Sequence, residues 1–160
     1  MPERGHRVYG STTVRVSLVI HAPSRYVYDW CTDYRSDDGR FSNGRARYRV
    51  IRISPRRVVR IRVSRGSSRD PGIAVELIGL NPPHSWHLDQ IDETDQQSLD
   101  YRVSSIGRAR TRLQLLSTER WVTPDFPTRE ALRAQIAKTW AMFAAALEAD
   151  YRAGRPARGR

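Results

Sequence analysis

The stretch TREALRAQIAKTWAMFAAALEADYR, residues 128–152, decides the fold of this chain. Large apolar side chains recur in it every three or four residues, which is the spacing of one face of an α-helix. Thr128 follows Pro124 and Pro127 and can cap the first turn. A helix of about 25 residues is roughly 40 Å long, enough to lie along the whole concave face of a twisted sheet. The apolar residues are Leu132, Ile136, Trp140, Phe143, Leu147 and Tyr151.

Seven segments of alternating or continuous apolar character precede this helix and predict β-strands. Short turns connect the last six, among them Asn81-Pro82-Pro83 and Asp95-Gln96-Gln97. Consecutive strands with short links form an antiparallel meander, so the pattern predicts an α+β fold with a curved sheet around the long helix. The predicted strands cover residues 14–20, 45–53, 57–64, 73–80, 85–91, 98–106 and 110–117.

The segment between the first two strands predicts two short helices. Pro23 and Ser24 suit a first helical turn, and the apolar spacing continues to Thr32. The run Ser36-Asp37-Asp38-Gly39 forms either a turn or the second helix.

Length and composition predict one domain over residues 12–153, with a flexible N-terminus, 1–11, and a disordered basic tail, 154–160. No apolar run approaches the roughly 20 residues of a membrane span. Cys31 is the single cysteine, which excludes an internal disulfide, and the first residues lack the apolar core of a signal peptide. We therefore expect a cytoplasmic protein, monomeric or homodimeric.

The net charge of +11 is concentrated in two places. Residues 44–70 contain ten arginines and one acidic residue, and residues 152–160 contain four arginines. The hairpin Arg45–Arg69 is either a solvated convex face, a peripheral contact for an acidic partner or anionic surface, or a phosphate-binding surface. Few aromatics interleave these arginines, so nucleic-acid binding receives little support.

Several local sequences resemble the START/Bet v 1-like (SRPBCC) superfamily, especially its polyketide cyclase/dehydrase-like branch. They are Val14–Pro23, Tyr26–Trp30 with Thr32-Asp33, Pro82-Pro83 before Trp86, and Leu99–Val103. The order strand, two short helices, six strands and long helix is also the order of the helix-grip fold. The resemblance, which covers residues 12–153, implies a mostly apolar cavity between helix and sheet that holds lipids, polyketides or other hydrophobic molecules.

The expected lining of that cavity comes from the sheet and from the middle of the long helix. The residues are Tyr48, Ile61, Val75, Leu77, Trp86, Leu88, Tyr101, Val103, Leu113, Ile136, Trp140 and Phe143. Candidates for acid–base chemistry are His87, Asp89 and Tyr101, provided that their face is concave. The alternative phase of strand 85–91, with Trp86 and Leu88 inside, is favoured.

These observations leave two main functional hypotheses and one lesser one. The first is binding or transport of a hydrophobic molecule. The second is a cyclase or aromatase that closes a poly-β-keto chain by aldol chemistry, which requires ionisable groups inside the cavity. The third is nucleic-acid or anionic-surface binding through Arg45–Arg69. No nucleotide, phosphate-loop, serine-hydrolase or zinc motif occurs, so we predict no cofactor and no metal.

Overall fold

The computed structural model describes residues 8–35, 38, 45–64 and 72–157. One seven-stranded antiparallel sheet has the order β1-β7-β6-β5-β4-β3-β2. After β1, each strand pairs with the next strand in the chain, and β1 closes against β7. The strands are β1 (Gly10–Ile20), β2 (Ala46–Ser54), β3 (Arg57–Ser64), β4 (Gly72–Asn81), β5 (Ser85–Ile91), β6 (Asp95–Gly107) and β7 (Arg110–Trp121).

Two helices, α1 (Ser24–Thr32) and α2 (Arg129–Arg152), complete the described fold. The Thr128 hydroxyl accepts a hydrogen bond from the Ala131 amide and caps α2, as the sequence predicts. Along its length α2 packs mainly against β1. No helix of the described residues is long and apolar enough to cross a membrane.

The cap of α2 gives a first test of the fold. We expect Thr128→Ala to lower the free energy of unfolding by about 1 kcal/mol, because the Ala131 amide loses its partner in the first turn. Thr139→Ala changes the same residue type at an exposed position inside α2 and is the control, with an expected effect near zero. Urea denaturation of both variants measures the difference. Equal stabilities would show that the cap contributes nothing.

Among the described residues one helix, α1, precedes β2; the second predicted helix, at Ser36–Gly39, falls mostly outside the described residues. One sequence prediction needs correction. The strand β6 begins at Asp95, so Asp95-Gln96-Gln97 is not a turn. The turn lies earlier because Asp92 accepts hydrogen bonds from the Thr94 and Asp95 amides, at 2.8 and 3.0 Å, and closes the chain there.

The hydrophobic core lies between the concave face of the sheet and both helices. Alternate residues of β1, β5, β6 and β7 point into it, and α1 contributes Val27 and Tyr28, both fully buried. Leu132, Ile136 and Leu147 bring the apolar stripe of α2 to the same core. The first residues after α2 also pack on the fold, since the Tyr26 hydroxyl donates to the Arg155 carbonyl at 3.0 Å.

The phase of β3 is the reverse of the predicted one. Arg60 and Arg62 point to the concave side together with the buried Val58, whereas Ile61 points outward. The alternation allowed both phases because Val58 and Val59 are both apolar. The ion pair between Arg60 and Glu76, on the paired strand β4, accounts for the phase that the fold adopts.

Candidate functional site

A row of polar side chains crosses the concave face of the sheet. Strand register places Arg60 opposite Glu76, then Gln90, Gln97 and Glu119 on successive strands from β3 to β7. All five belong to the inward phase of their strands, because buried apolar residues occupy the adjacent inward positions. We call these five residues the polar row. A core face this polar is unusual, since buried polar groups cost free energy unless they are paired.

Arg60 is the centre of one end of the polar row. Its guanidinium forms an ion pair with Glu76, whose side chain is 3% exposed, and donates to the Asp38 carboxylate at 2.9 Å. The guanidinium also lies over two aromatic rings, 4.9 Å from the centroid of Tyr34 and 4.4 Å from that of Tyr48. These contacts hold the plane of the guanidinium in one orientation.

The guanidinium of Arg60 stays protonated inside the fold. Burial alone would lower the pKa of the guanidinium, but the charge of Glu76 and its hydrogen bond outweigh burial and raise that pKa. Among the described residues, Nη2 of Arg60 has no hydrogen-bond partner. A permanently protonated donor therefore faces the concave side with hydrogen-bonding capacity to spare.

Two tyrosines beside Arg60 remain protonated. Burial raises the pKa of Tyr34 well above its ordinary value, and burial likewise raises that of Tyr101. Each phenol is therefore a neutral hydrogen-bond donor at physiological pH. Like Arg60, each of them can donate a hydrogen bond to a carbonyl or carboxylate oxygen, which is a function that apolar core residues cannot perform.

Carboxylic acids gather at the other end of the polar row. Gln97 donates to both Ser117 and Glu119. Burial raises the pKa of Glu119, and burial together with the neighbouring Asp92 carboxylate raises the pKa of Asp95 to about 7. Asp95 can therefore hold or release a proton near neutral pH.

An aromatic wall adjoins the polar row. Trp86 stacks on Tyr101 with ring centroids 4.5 Å apart, and Trp140 of α2 approaches Tyr101 at 5.2 Å. Phe143 continues the wall along the helix, 5.4 Å from Trp140. Flat, rigid surfaces of this kind suit ring-shaped or polyunsaturated ligands.

The concave side is not completely filled by the protein. Tyr48, Arg62, Gln90 and Gln97 point inward, yet each remains partly exposed. Trp140 and Phe143 on the facing helix are also partly exposed. The exposure of these six side chains leaves part of the concave face open to solvent, and we call the region in front of them the concave cleft.

Most of the predicted lining residues lie on the inner side, and three do not. Tyr48, Trp86, Leu88, Tyr101, Val103 and Leu113 point inward from the sheet, and Ile136, Trp140 and Phe143 approach from α2. Ile61, Val75 and Leu77 point outward, and the last two are 39% and 48% exposed. Val75 and Leu77 were misplaced because β4 is nearly continuous in apolar residues, so its sequence does not indicate which side of the strand faces inward.

The predicted acid–base candidates lie on opposite faces. Tyr101 points inward opposite Trp86, whereas His87 and Asp89 point outward. The His87 ring lies between two carboxylates, 2.9 Å from Asp89 and 2.7 Å from Asp100. Burial opposes protonation, but these hydrogen bonds raise the pKa of His87. The histidine is thus part of a surface ion-pair cluster and does not reach the concave cleft.

Arg60, Glu76 and Tyr34 were not anticipated from the sequence as site residues. One signal for them exists: Glu76 is the single charged residue within the apolar run 73–80. A buried acid requires a cationic partner, and the arginines of β3 supply it. Among the described residues no group of three or more His, Cys, Asp and Glu side chains is arranged to hold a metal ion.

The backbone is similar to several solved structures at low sequence identity. Zhui aromatase/cyclase from Streptomyces sp. R1128 is 15% identical with a TM-score of 0.62, covering 94% of this chain and 100% of that one. A START superfamily protein from Mycobacterium smegmatis is 13% identical with a TM-score of 0.62, covering 88% and 96%. The di-domain ARO/CYC StfQ from the steffimycin biosynthetic pathway is 12% identical with a TM-score of 0.66, covering 90% and 52%.

Neither a protein-family model nor a curated protein matches the sequence. The structural likeness extends over nearly the whole chain, and the seven-stranded antiparallel sheet against a C-terminal helix is the shared arrangement. The chain therefore has the START/Bet v 1-like (SRPBCC) helix-grip fold.

Proposed function

We propose that this protein binds a hydrophobic small molecule that carries a carbonyl or carboxylate oxygen. The observation that carries the proposal is Arg60, a charged donor buried on an otherwise aromatic concave face and held by Glu76, Tyr34 and Tyr48. A purely apolar ligand would have no use for such a group. The ligand oxygen accepts from Arg60 while its apolar body lies against the aromatic wall.

The two parts of the site contribute differently to binding. Apolar contact with Trp86, Tyr101 and Trp140 provides affinity of about 25 cal/mol for each Å² removed from water. The oxygen contact provides orientation, because a hydrogen bond from a charged donor contributes about 1.5–3 kcal/mol and depends on direction. The solved structures with this fold include, by title, an aromatase/cyclase and a START superfamily protein.

A matched pair of ligands tests the proposal. Acetylnaphthalene carries a carbonyl, and ethylnaphthalene has the same shape without it. We expect the wild-type protein to bind acetylnaphthalene at least about tenfold more tightly, as measured by tryptophan fluorescence titration. The preference should vanish in the double variant Arg60→Leu/Glu76→Leu and persist in Arg62→Leu, which changes a neighbouring inward arginine.

Two results would contradict the proposal. Equal affinity for both naphthalenes in the wild-type protein would show that Arg60 does not contact the ligand oxygen. A preference that survives in Arg60→Leu/Glu76→Leu would place the oxygen contact elsewhere in the molecule.

The second candidate function is the cyclase reaction, and the carboxylic acids of the polar row favour it. In that reaction a base removes an α-proton from a poly-β-keto chain, the enolate carbon bonds to a second carbonyl carbon, and water leaves. Arg60 and Tyr34 would hold a distant carbonyl oxygen of the chain, and Glu119 would remove the α-proton at the reacting end. The ends of the polar row are about 20 Å apart at the usual strand spacing, so the substrate must be an extended chain.

One variant distinguishes catalytic turnover from ligand binding. Incubation with a linear poly-β-ketone should yield a product lighter by one water, detected by mass spectrometry. Glu119→Gln should abolish that product without changing the affinity for acetylnaphthalene. If the product also forms without protein at the same rate, the cyclase hypothesis fails and the binding proposal is unaffected.

A further inference from the structure

The convex face of the sheet carries an apolar surface that the binding site does not use. Seven large aliphatic side chains on β2–β5 point away from the core, with exposed fractions between 39% and 64%. We call them the convex patch. They are Ile51, Ile53, Val63, Ile73, Val75, Leu77 and Ile91.

The strand register makes the convex patch continuous. Ile61, Val75 and Ile91 lie in one row across β3, β4 and β5, and Val59 lies beside Leu77 in the next row. The seven side chains of the convex patch together expose on the order of 500 Å², near the upper limit for patches on monomeric proteins. Patches of this size are often functional surfaces.

The two margins of the convex patch carry opposite charges. Arg47 and Arg49 project outward from β2 on one side, and no carboxylate among the described residues forms an ion pair with either. Asp89 and Asp100 project outward on the other side, with side chains 49% and 64% exposed. The surface therefore has a basic edge, an apolar centre and an acidic edge.

We propose that the convex patch is the interface of a homodimer. A two-fold axis parallel to the strands, above the seam between β3 and β4, places β2 of one copy over β5 of the other. The apolar centres then meet face to face, as sheets do in sandwiches, about 10 Å apart. The strand register then sets Arg49 of each copy over Ile91 of its partner, two residues along β5 from Asp89 and within reach of a long arginine side chain. This pairing is self-complementary, as an isologous interface requires.

The charge pattern favours a second copy over a lipid surface. An anionic membrane would attract the basic edge but repel Asp89 and Asp100, whereas a second copy brings Arg49 of the basic edge within reach of Asp89. With its charged margins the patch approaches the roughly 800 Å² per partner of a standard protein interface. The concave clefts lie on the outer sides of such a dimer, so ligand binding and association do not compete.

Light scattering with size-exclusion chromatography tests the interface. We expect a species of twice the 18.4 kDa chain mass in the wild-type protein. Val75→Glu should raise the dimer dissociation constant at least about tenfold, because it places a charge at the apolar centre. Met142→Glu changes an equally exposed residue of α2 and should remain dimeric.

A mixing experiment tests the two-fold geometry itself. In a homodimer of either single variant, Arg49→Glu or Asp89→Arg, both cross-interface contacts would join like charges. Each variant alone should therefore be mainly monomeric. An equal mixture of the two variants should form a heterodimer, since both cross-interface contacts then join opposite charges.

Three outcomes would overturn the proposal. The first is a monomeric wild-type protein at about 100 μM, well above the micromolar range of weak specific interfaces. The second is a mixture of the two charge variants that stays monomeric. The third is a wild-type protein that is monomeric and co-sediments with phosphatidylglycerol vesicles, which would assign the convex patch to a lipid surface.

Discussion

Arg60→Leu should lower the free energy of unfolding by about 3–5 kcal/mol, the cost of leaving a buried charge without its partner. Glu76 is 3% exposed and depends on Arg60 for its ion pair, so removal of the arginine leaves its carboxylate unpaired in the core. A loss of this size is a large fraction of the stability of a small domain, and much of the variant should be insoluble on expression at 37 °C.

The double variant Arg60→Leu/Glu76→Leu should recover most of that loss. With both charges replaced by leucine, the core carboxylate is gone and Asp38 keeps the Arg35 amide as a donor. Such replacements are often neutral or stabilising. We expect the double variant to lie within about 1 kcal/mol of the wild type, which gives a coupling free energy of several kcal/mol in the double-mutant cycle. Its stability also makes it the suitable variant for the ligand measurements.

Urea denaturation followed by tryptophan fluorescence measures all four corners of the cycle. Arg62→Leu is the matched control, since Arg62 points inward from the same strand but is 30% exposed and lies 3.9 Å from Asp92. Its loss should be below about 1 kcal/mol. A double variant as unstable as Arg60→Leu would show that Glu76 is not paired with Arg60 in solution.

Asp95→Asn should stabilise the protein at pH 8 and have little effect at pH 4. Burial, helped by the Asp92 carboxylate, raises the pKa of Asp95 from 3.8 to about 7. Between these values the folded state holds a proton that the unfolded chain releases, so wild-type stability falls as pH rises from about 4 to 7 and is constant with pH thereafter. The asparagine carries no charge and removes this loss.

The expected gain for Asp95→Asn is on the order of 2 kcal/mol at pH 8. The stability of the variant should still change with pH. Part of that change belongs to Glu119, because burial raises the pKa of this residue as well. Thermal unfolding at pH 4, 6 and 8 measures the effect, and Asp125→Asn, at an exposed position, is the control. A gain independent of pH would contradict the raised pKa.

The order of elements was largely predictable because their periodicity is local. The spacing of Leu132, Ile136 and Leu147 is that of one helical face, and all three are buried. The boundaries of β3 and β5 follow from turn residues and agree with the structure. The start of β6 was misplaced because Asp92, and not Asp95, closes the preceding turn.

The polar row could not be predicted because it depends on pairings between distant strands. In β3 the alternation of Val59, Ile61 and Val63 favours the opposite phase, and the buried Glu76 of the neighbouring strand selects the phase with Arg60 inside. Tyr34 joins the site from the chain after α1, a position that no sequence period determines. Trp86 and Leu88 lie on the inner face, which is the phase of β5 that the sequence favoured over the alternative with His87 and Asp89 inside.

The most direct test of the account is the indole N–H region of the ¹H–¹⁵N NMR spectrum during titration with acetylnaphthalene. Trp86 and Trp140 border the concave cleft, whereas Trp30 donates its indole N–H to Asp150 at 3.0 Å, in a contact between α1 and α2 away from the proposed ligand position. Binding in the concave cleft predicts shifts for Trp86 and Trp140 and none for Trp30. Shifts confined to Trp30, or to amides of outward residues such as Leu77 and His87, would contradict the proposed site.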